Sequence, residues 1–160
     1  MNRVIFSYRL GNAACCQYGQ YEGFKVQIDY NGNLEYAEYV IQNIEVKKEI
    51  YKLKQETVNK ILNIIQQSDI ENIPQNLDNG SCDGDCNEFL FYKNGQEYKI
   101  TSWNIIDEEF NAEKLNNIKE EKYKKNYVNE CQVTAVFHKI EKILLDEKYK
   151  LNLFRFEKIL

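Results

Sequence analysis

An Asn-Gly pair at positions 94 and 95 sits between two runs of alternating apolar residues, in the stretch NEFLFYKNGQEYKITSW from Asn87 to Trp103. Both central residues of a type I′ turn need positive φ, which Gly and Asn tolerate best, so the pair predicts a tight hairpin. A two-residue loop sets Phe91 opposite Tyr98 and Phe89 opposite Ile100, placing four large side chains on one face. Lys93, Gln96, Glu97 and Lys99 are then expected near the turn or on the wetter face.

A second turn, at Asn31-Gly32, follows a strictly alternating strand from Phe24 to Tyr30. Here a two-residue loop would put Leu34 and Tyr36 on the wrong face. A three-residue loop, Tyr30-Asn31-Gly32, pairs Ile28 with Leu34 and Val26 with Tyr36. Because a slip of one residue moves a whole apolar set to solvent, the longer loop is expected. Gly32 then takes the left-handed position of a turn with a bulge. On that conformation alone, Gly32→Ala should cost about 1 kcal/mol, and Gly32→Asn should recover part of the loss.

Three further strands and two helices complete the reading. Arg3 to Tyr8 places Val4, Phe6 and Tyr8 on one side of a first strand, after which GNAACCQYGQYEG reads as a loop. Leu34 to Ile41 and Glu45 to Leu53 read as strands. Val58, Ile61, Leu62 and Ile65 form one apolar stripe, which predicts a helix over Gln55–Ser68 with a poor cap at Lys54. Val133, Val136, Phe137, Ile140, Ile143 and Leu144 form another. With Asn129 and Gln132 resembling a capping box, they predict a helix over Asn129–Glu147. Residues 107–129 read as a charged, exposed insertion with at most a short helix, and the apolar tail LNLFRFEKIL receives no assignment.

The expected fold class is α+β. An antiparallel sheet of two hairpins plus an N-terminal strand carries both helices on one face, in the order β-β-β-β-α-β-β-α. At 160 residues, a single globular domain over 1–160 is the expectation. The two Asn-Gly turns also align as a weak internal repeat, although ββα units are common enough to arise without duplication.

The charge is mildly acidic, 21 Lys and Arg against 25 Asp and Glu, a net of −4, with no basic stripe to neutralise phosphates. That argues against a nucleic-acid partner. No apolar run approaches the roughly 20 residues of a membrane span, and the N-terminus has no long apolar segment of the signal-peptide kind. A cytoplasmic, bacterial-type protein is expected. A high Tyr count beside few Arg and one Pro also fits an AT-rich coding bias, so Tyr abundance does not by itself mark a binding surface.

Five cysteines form the one unusual constellation. Cys15 and Cys16 are adjacent, and Cys82 and Cys86 flank Asp-Gly-Asp, both in loops ahead of a hairpin. Four converging thiolates would suit tetrahedral zinc, yet neither spacing is the usual Cys-x2-Cys knuckle. Free thiols in a reducing compartment are the leading reading, with a disulfide and zinc as alternatives. Asp78, Asp83, Asp85, Asn87 and Glu88 raise calcium, but the sixth residue counted from Asp83 is Glu88, where an EF-hand loop has Gly. His138 is the sole histidine and reads as a helix-boundary residue. No phosphate loop, nucleophile elbow or His-Glu zinc helix is present. The function expected on this basis is a non-enzymatic protein- or ligand-binding module, with another protein, such as a basic one, as partner. The alternative is a thiol- or metal-site protein built on Cys15, Cys16, Cys82 and Cys86.

Overall fold

The computed structural model describes residues 3–12, 23–40, 44–77, 85–103 and 110–147. Four strands come first: β1 (Val4–Asn12), β2 (Gly23–Asp29), β3 (Asn33–Val40) and β4 (Ile44–Lys52). Helix α1 (Gln55–Gln66) follows, then a 3-10 turn at Ile70–Asn72 and a two-residue strand β5 (Asn76–Leu77). The central hairpin is β6 (Asp85–Lys93) and β7 (Gln96–Trp103), and the chain continues into α2 (Ala112–Asn117) and α3 (Glu121–Asp146). All seven strands join one sheet in the order β4-β3-β2-β1-β6-β7-β5, antiparallel except where β5 meets β7. This is an α+β fold, and both long helices contribute to one apolar core with the sheet.

Both turns form in the expected phase. Asn94 and Gly95 have φ of 51° and 84°, and Phe91 faces Tyr98 while Phe89 faces Ile100. In the first hairpin Val26 faces Tyr36 and Ile28 faces Leu34, with Gly32 at φ 79°. The Gly32 N–H donates to the Asp29 carbonyl at 2.9 Å. The Asp29 carboxylate accepts from the Asn33 N–H at 2.8 Å and from Asn33 Nδ2 at 2.7 Å, which locks the turn from inside.

Four expectations need correction. In β1 the register shifts between Val4 and Phe6, so Ile5 is an extra residue and both Ile5 and Phe6 are buried. A bulge of this kind breaks the alternation that periodicity assumes. Helix α1 stops at Gln66, two residues before the expected end at Ser68, where the Ser68 hydroxyl turns back to the Ile65 carbonyl at 2.6 Å. Lys93 flanks the Asn94-Gly95 turn, one of the two places expected for it, yet it is only 5 % exposed. Its ammonium reaches the Ser68 carbonyl and both oxygens of Glu71, at 2.7 and 2.6 Å, so the buried charge is compensated. The last helix starts at Glu121, eight residues before Asn129, and Asn129 lies buried within it rather than capping it. The described part of 107–129 is therefore mostly helix, with α2 capped by the Asn111 side chain accepting from the Lys114 N–H at 3.0 Å.

The core centres on Phe137 of α3. Its ring lies 4.5 Å from that of Tyr8, 5.6 Å from Phe89 and 6.3 Å from Phe6, centroid to centroid. Those three rings stand on the adjacent strands β1 and β6, so one side chain seats α3 on the middle of the sheet. Phe137→Ala is expected to cost about 3–5 kcal/mol, through lost burial and the cavity left behind. A urea unfolding midpoint matching wild type would show that the ring does not hold the helix.

Gly32 is more tightly held than its φ alone implies. A Cβ there would come within 2.8 Å of the Leu53 carbonyl oxygen and 3.1 Å of Val58 Cγ2. Because the first obstacle is backbone, it cannot swing away as a side chain would. Gly32→Ala is therefore expected to cost roughly 2–4 kcal/mol, a left-handed penalty plus overpacking. Gly32→Asn carries the same Cβ and should lose as much rather than recover. Equal unfolding midpoints for Gly32→Asn and wild type would refute the close approach.

Candidate functional site

The two ends of α3 differ in chemistry. Counting back by sevens from Phe137 and Val133 lands on Glu130 and Asn126, so these polar residues occupy the helix's buried stripe. Glu130 is 2 % exposed and accepts a hydrogen bond at 2.8 Å from the hydroxyl of Ser102, itself 0 % exposed on β7. Across the β6–β7 ladder Ser102 pairs with Asn87, whose Oδ1 accepts from the Tyr8 hydroxyl at 2.7 Å. Asn126 and Thr134 are buried as well, and the Nδ2 of buried Asn129 has no hydrogen-bond partner among the described residues. The sheet end marked by Cys86, Asn87 and Ser102 thus packs against a polar segment of helix, whereas the Phe137 half of α3 is apolar.

Burial pushes the Glu130 carboxyl up to about 7, since a carboxylate there would lose its hydration. The Ser102 hydrogen bond and the Lys114 ammonium oppose that shift without cancelling it. The sign of the stability effect follows directly. Between the ordinary carboxyl value of 4.5 and about 7, the folded chain keeps a proton that the unfolded chain has released. This contribution to stability is full below that window and is lost as pH rises through it. Wild type should lose on the order of 2 kcal/mol between pH 5 and pH 8 relative to Glu130→Gln, whose neutral amide can still accept from Ser102. Parallel stability curves for the two proteins across that range would show that Glu130 ionises in the folded chain as it does in water.

The opposite face of the sheet carries no helix among the described residues. Strand registers build it in rows. Lys48, Ala37, Lys25, Arg9, Glu88 and Thr101 follow one another across six strands, and Ile50, Glu35, Gln27, Ser7, Leu90 and Lys99 form the next row. Over the four central strands lies a shallow hollow of about 350 Å³, with Ser7, Leu90 and Thr101 among its lining and Arg9, Lys25, Glu88 and Lys99 around it. Two of the cations on this face, Lys48 and Arg9, are matched. Lys48 pairs with Glu35 at 3.1 Å, and Arg9 reaches Glu88 at 3.9 Å while lying over the Tyr39 ring. Lys25 and Lys99 have no carboxylate partner among the described residues.

The structure describes only some of the residues singled out in the sequence. Cys15, Cys16 and Cys82 lie outside the described residues. Cys86 is half-buried on β6 opposite Trp103, and Cys131 is half-buried on α3. Among the described residues no group of three or more His, Cys, Asp or Glu side chains is placed to hold a metal ion. Of the acidic loop, Asp78 and Asp83 lie outside the described residues and Asp85 opens β6. Asn87 turns into the core while Glu88 faces the open side, as neighbours on a strand must, so they do not share an ion. His138 is half-buried at the helix boundary, its Nε2 3.9 Å from the Glu141 carboxylate one turn on. No described helix is long and apolar enough to cross a membrane. No protein-family model matches the chain, and no curated protein matches it either.

Proposed function

We propose that this chain is a non-enzymatic module that binds another protein through the open face of its sheet. The observation that carries the reading is the hollow over the four central strands, which contains the half-buried Leu90, with the 65 % exposed Ile50 in the same row on β4. An apolar side chain set among polar and charged ones matches the mixed composition of protein-binding surfaces. A sheet face of antiparallel strands tolerates water, so it can stand open before a partner arrives. Two things favour binding over catalysis. The carboxyl with the strongly raised proton affinity, Glu130, sits in the core, on the far side of the sheet from the hollow. The hydroxyls near the hollow, Ser7 and Thr101, have no histidine beside them, since the only one is on α3.

Affinity capture from extracts of the source cells tests this, comparing wild type with Ile50→Glu, Lys99→Glu and a helix-side control, Lys139→Glu. A protein retained by wild type and the control but lost with the two face variants is the expected outcome. Retention of the same set by all four chains would reject the open face as the binding surface.

A further inference from the structure

We infer that the open face recognises an extended acidic segment of its partner, with an acidic–x–apolar–x–acidic pattern lying across the strands; this rests on the open-face reading above. Lys25 on β2 and Lys99 on β7 stand at opposite sides of the hollow, separated by β1 and β6. Three inter-strand steps of about 4.8 Å and a two-residue offset of about 7 Å along the strands put their backbones about 16 Å apart, a span that their long side chains can shorten. Neither ammonium has a carboxylate partner among the described residues, although Lys48 and Arg9 on the same face do. Two unmatched cations flanking an apolar side chain call for two anions flanking an apolar one.

An extended segment meets that requirement by its own geometry. Side chains at i, i+2 and i+4 point the same way, and i to i+4 spans about 13–14 Å. Carboxylates at the outer positions then reach Lys25 and Lys99, and the middle apolar side chain meets Leu90. Glu88 would repel such a segment if it stood alone, but Arg9 lies 3.9 Å from it across the β1–β6 pair. The hydroxyls of Ser7 and Thr101 remain in the hollow to donate to the segment's carbonyls.

The test titrates the full chain with capped Glu-Thr-Leu-Thr-Glu and with Gln-Thr-Leu-Thr-Gln, following backbone amide shifts at low and high salt. Shifts on β1, β2, β6 and β7 with the Glu peptide are expected, with affinity about tenfold weaker for the Gln peptide. Lys25→Gln and Lys99→Gln should each weaken the Glu peptide by about tenfold with their unfolding midpoints unchanged, and salt should erase the difference between peptides. Equal binding of both peptides on this face would overturn the acidic pattern while leaving the open-face reading in place. Shifts confined to the helix side, or none at millimolar peptide, would overturn the pattern, and the capture experiment would then judge the face independently. Inorganic phosphate displacing the Glu peptide at equal concentration would overturn it in favour of a small-anion site.

Discussion

The contact between the Tyr30–Gly32 turn and the start of α1 holds the architecture together. The Gly32 carbonyl accepts from the Leu53 N–H at 2.8 Å, so the residue that leads into the helix is tied to the turn of a different hairpin. With no side chain at Gly32, Val58 can settle against the turn and α1 can lie down on the sheet. From there α1 meets α3, and the Thr57 hydroxyl donates to Glu147 at 3.0 Å, joining the first turn of one helix to the end of the other. The position of α3, and with it the depth of Glu130, depends on a place where only the smallest residue fits.

Local periodicity carried the sequence reading as far as it went. The two hairpin registers and the α1 stripe follow from side-chain alternation and turn chemistry, which act over a few residues. The pairing of β1 with β6, at the centre of the sheet, joins segments about 80 residues apart and has no local signature. The burial of Lys93 and of Glu130 was missed for one reason: a charged type at a core position is read as surface until its partner is known. Lys93 finds Glu71 and the Ser68 carbonyl, and Glu130 finds Ser102. The helical phase did hold the clue for Glu130. The apolar stripe of α3, extended backward, passes through it and through Asn126, which also explains why the helix starts eight residues early.

The two faces of the sheet thus divide the chemistry. On the helix side, polar groups are buried and answer one another, as in the Tyr8–Asn87 and Ser102–Glu130 pairs. On the open side, Lys25 and Lys99 stand near Leu90 with no carboxylate partner among the described residues. Buried polar pairs fix a core's geometry because a group left unsatisfied there is costly. Unmatched charges in water cost little and are free to meet something else.

The outer edge of the sheet is β4, which has a strand neighbour only on its β3 side among the described residues. Its sequence, IEVKKEIYK, places Glu45, Lys47, Lys48 and Glu49 along nine residues of edge. Another copy laying its own β4 alongside, antiparallel and centred on Lys48, would set Lys48 opposite Lys48, flanked by two Lys47–Glu49 pairs of opposite charge. Like charges directly opposite weaken such a pair. Lysines along an exposed edge are one way in which sheets discourage a further strand from joining, and β4 carries two of them at its middle.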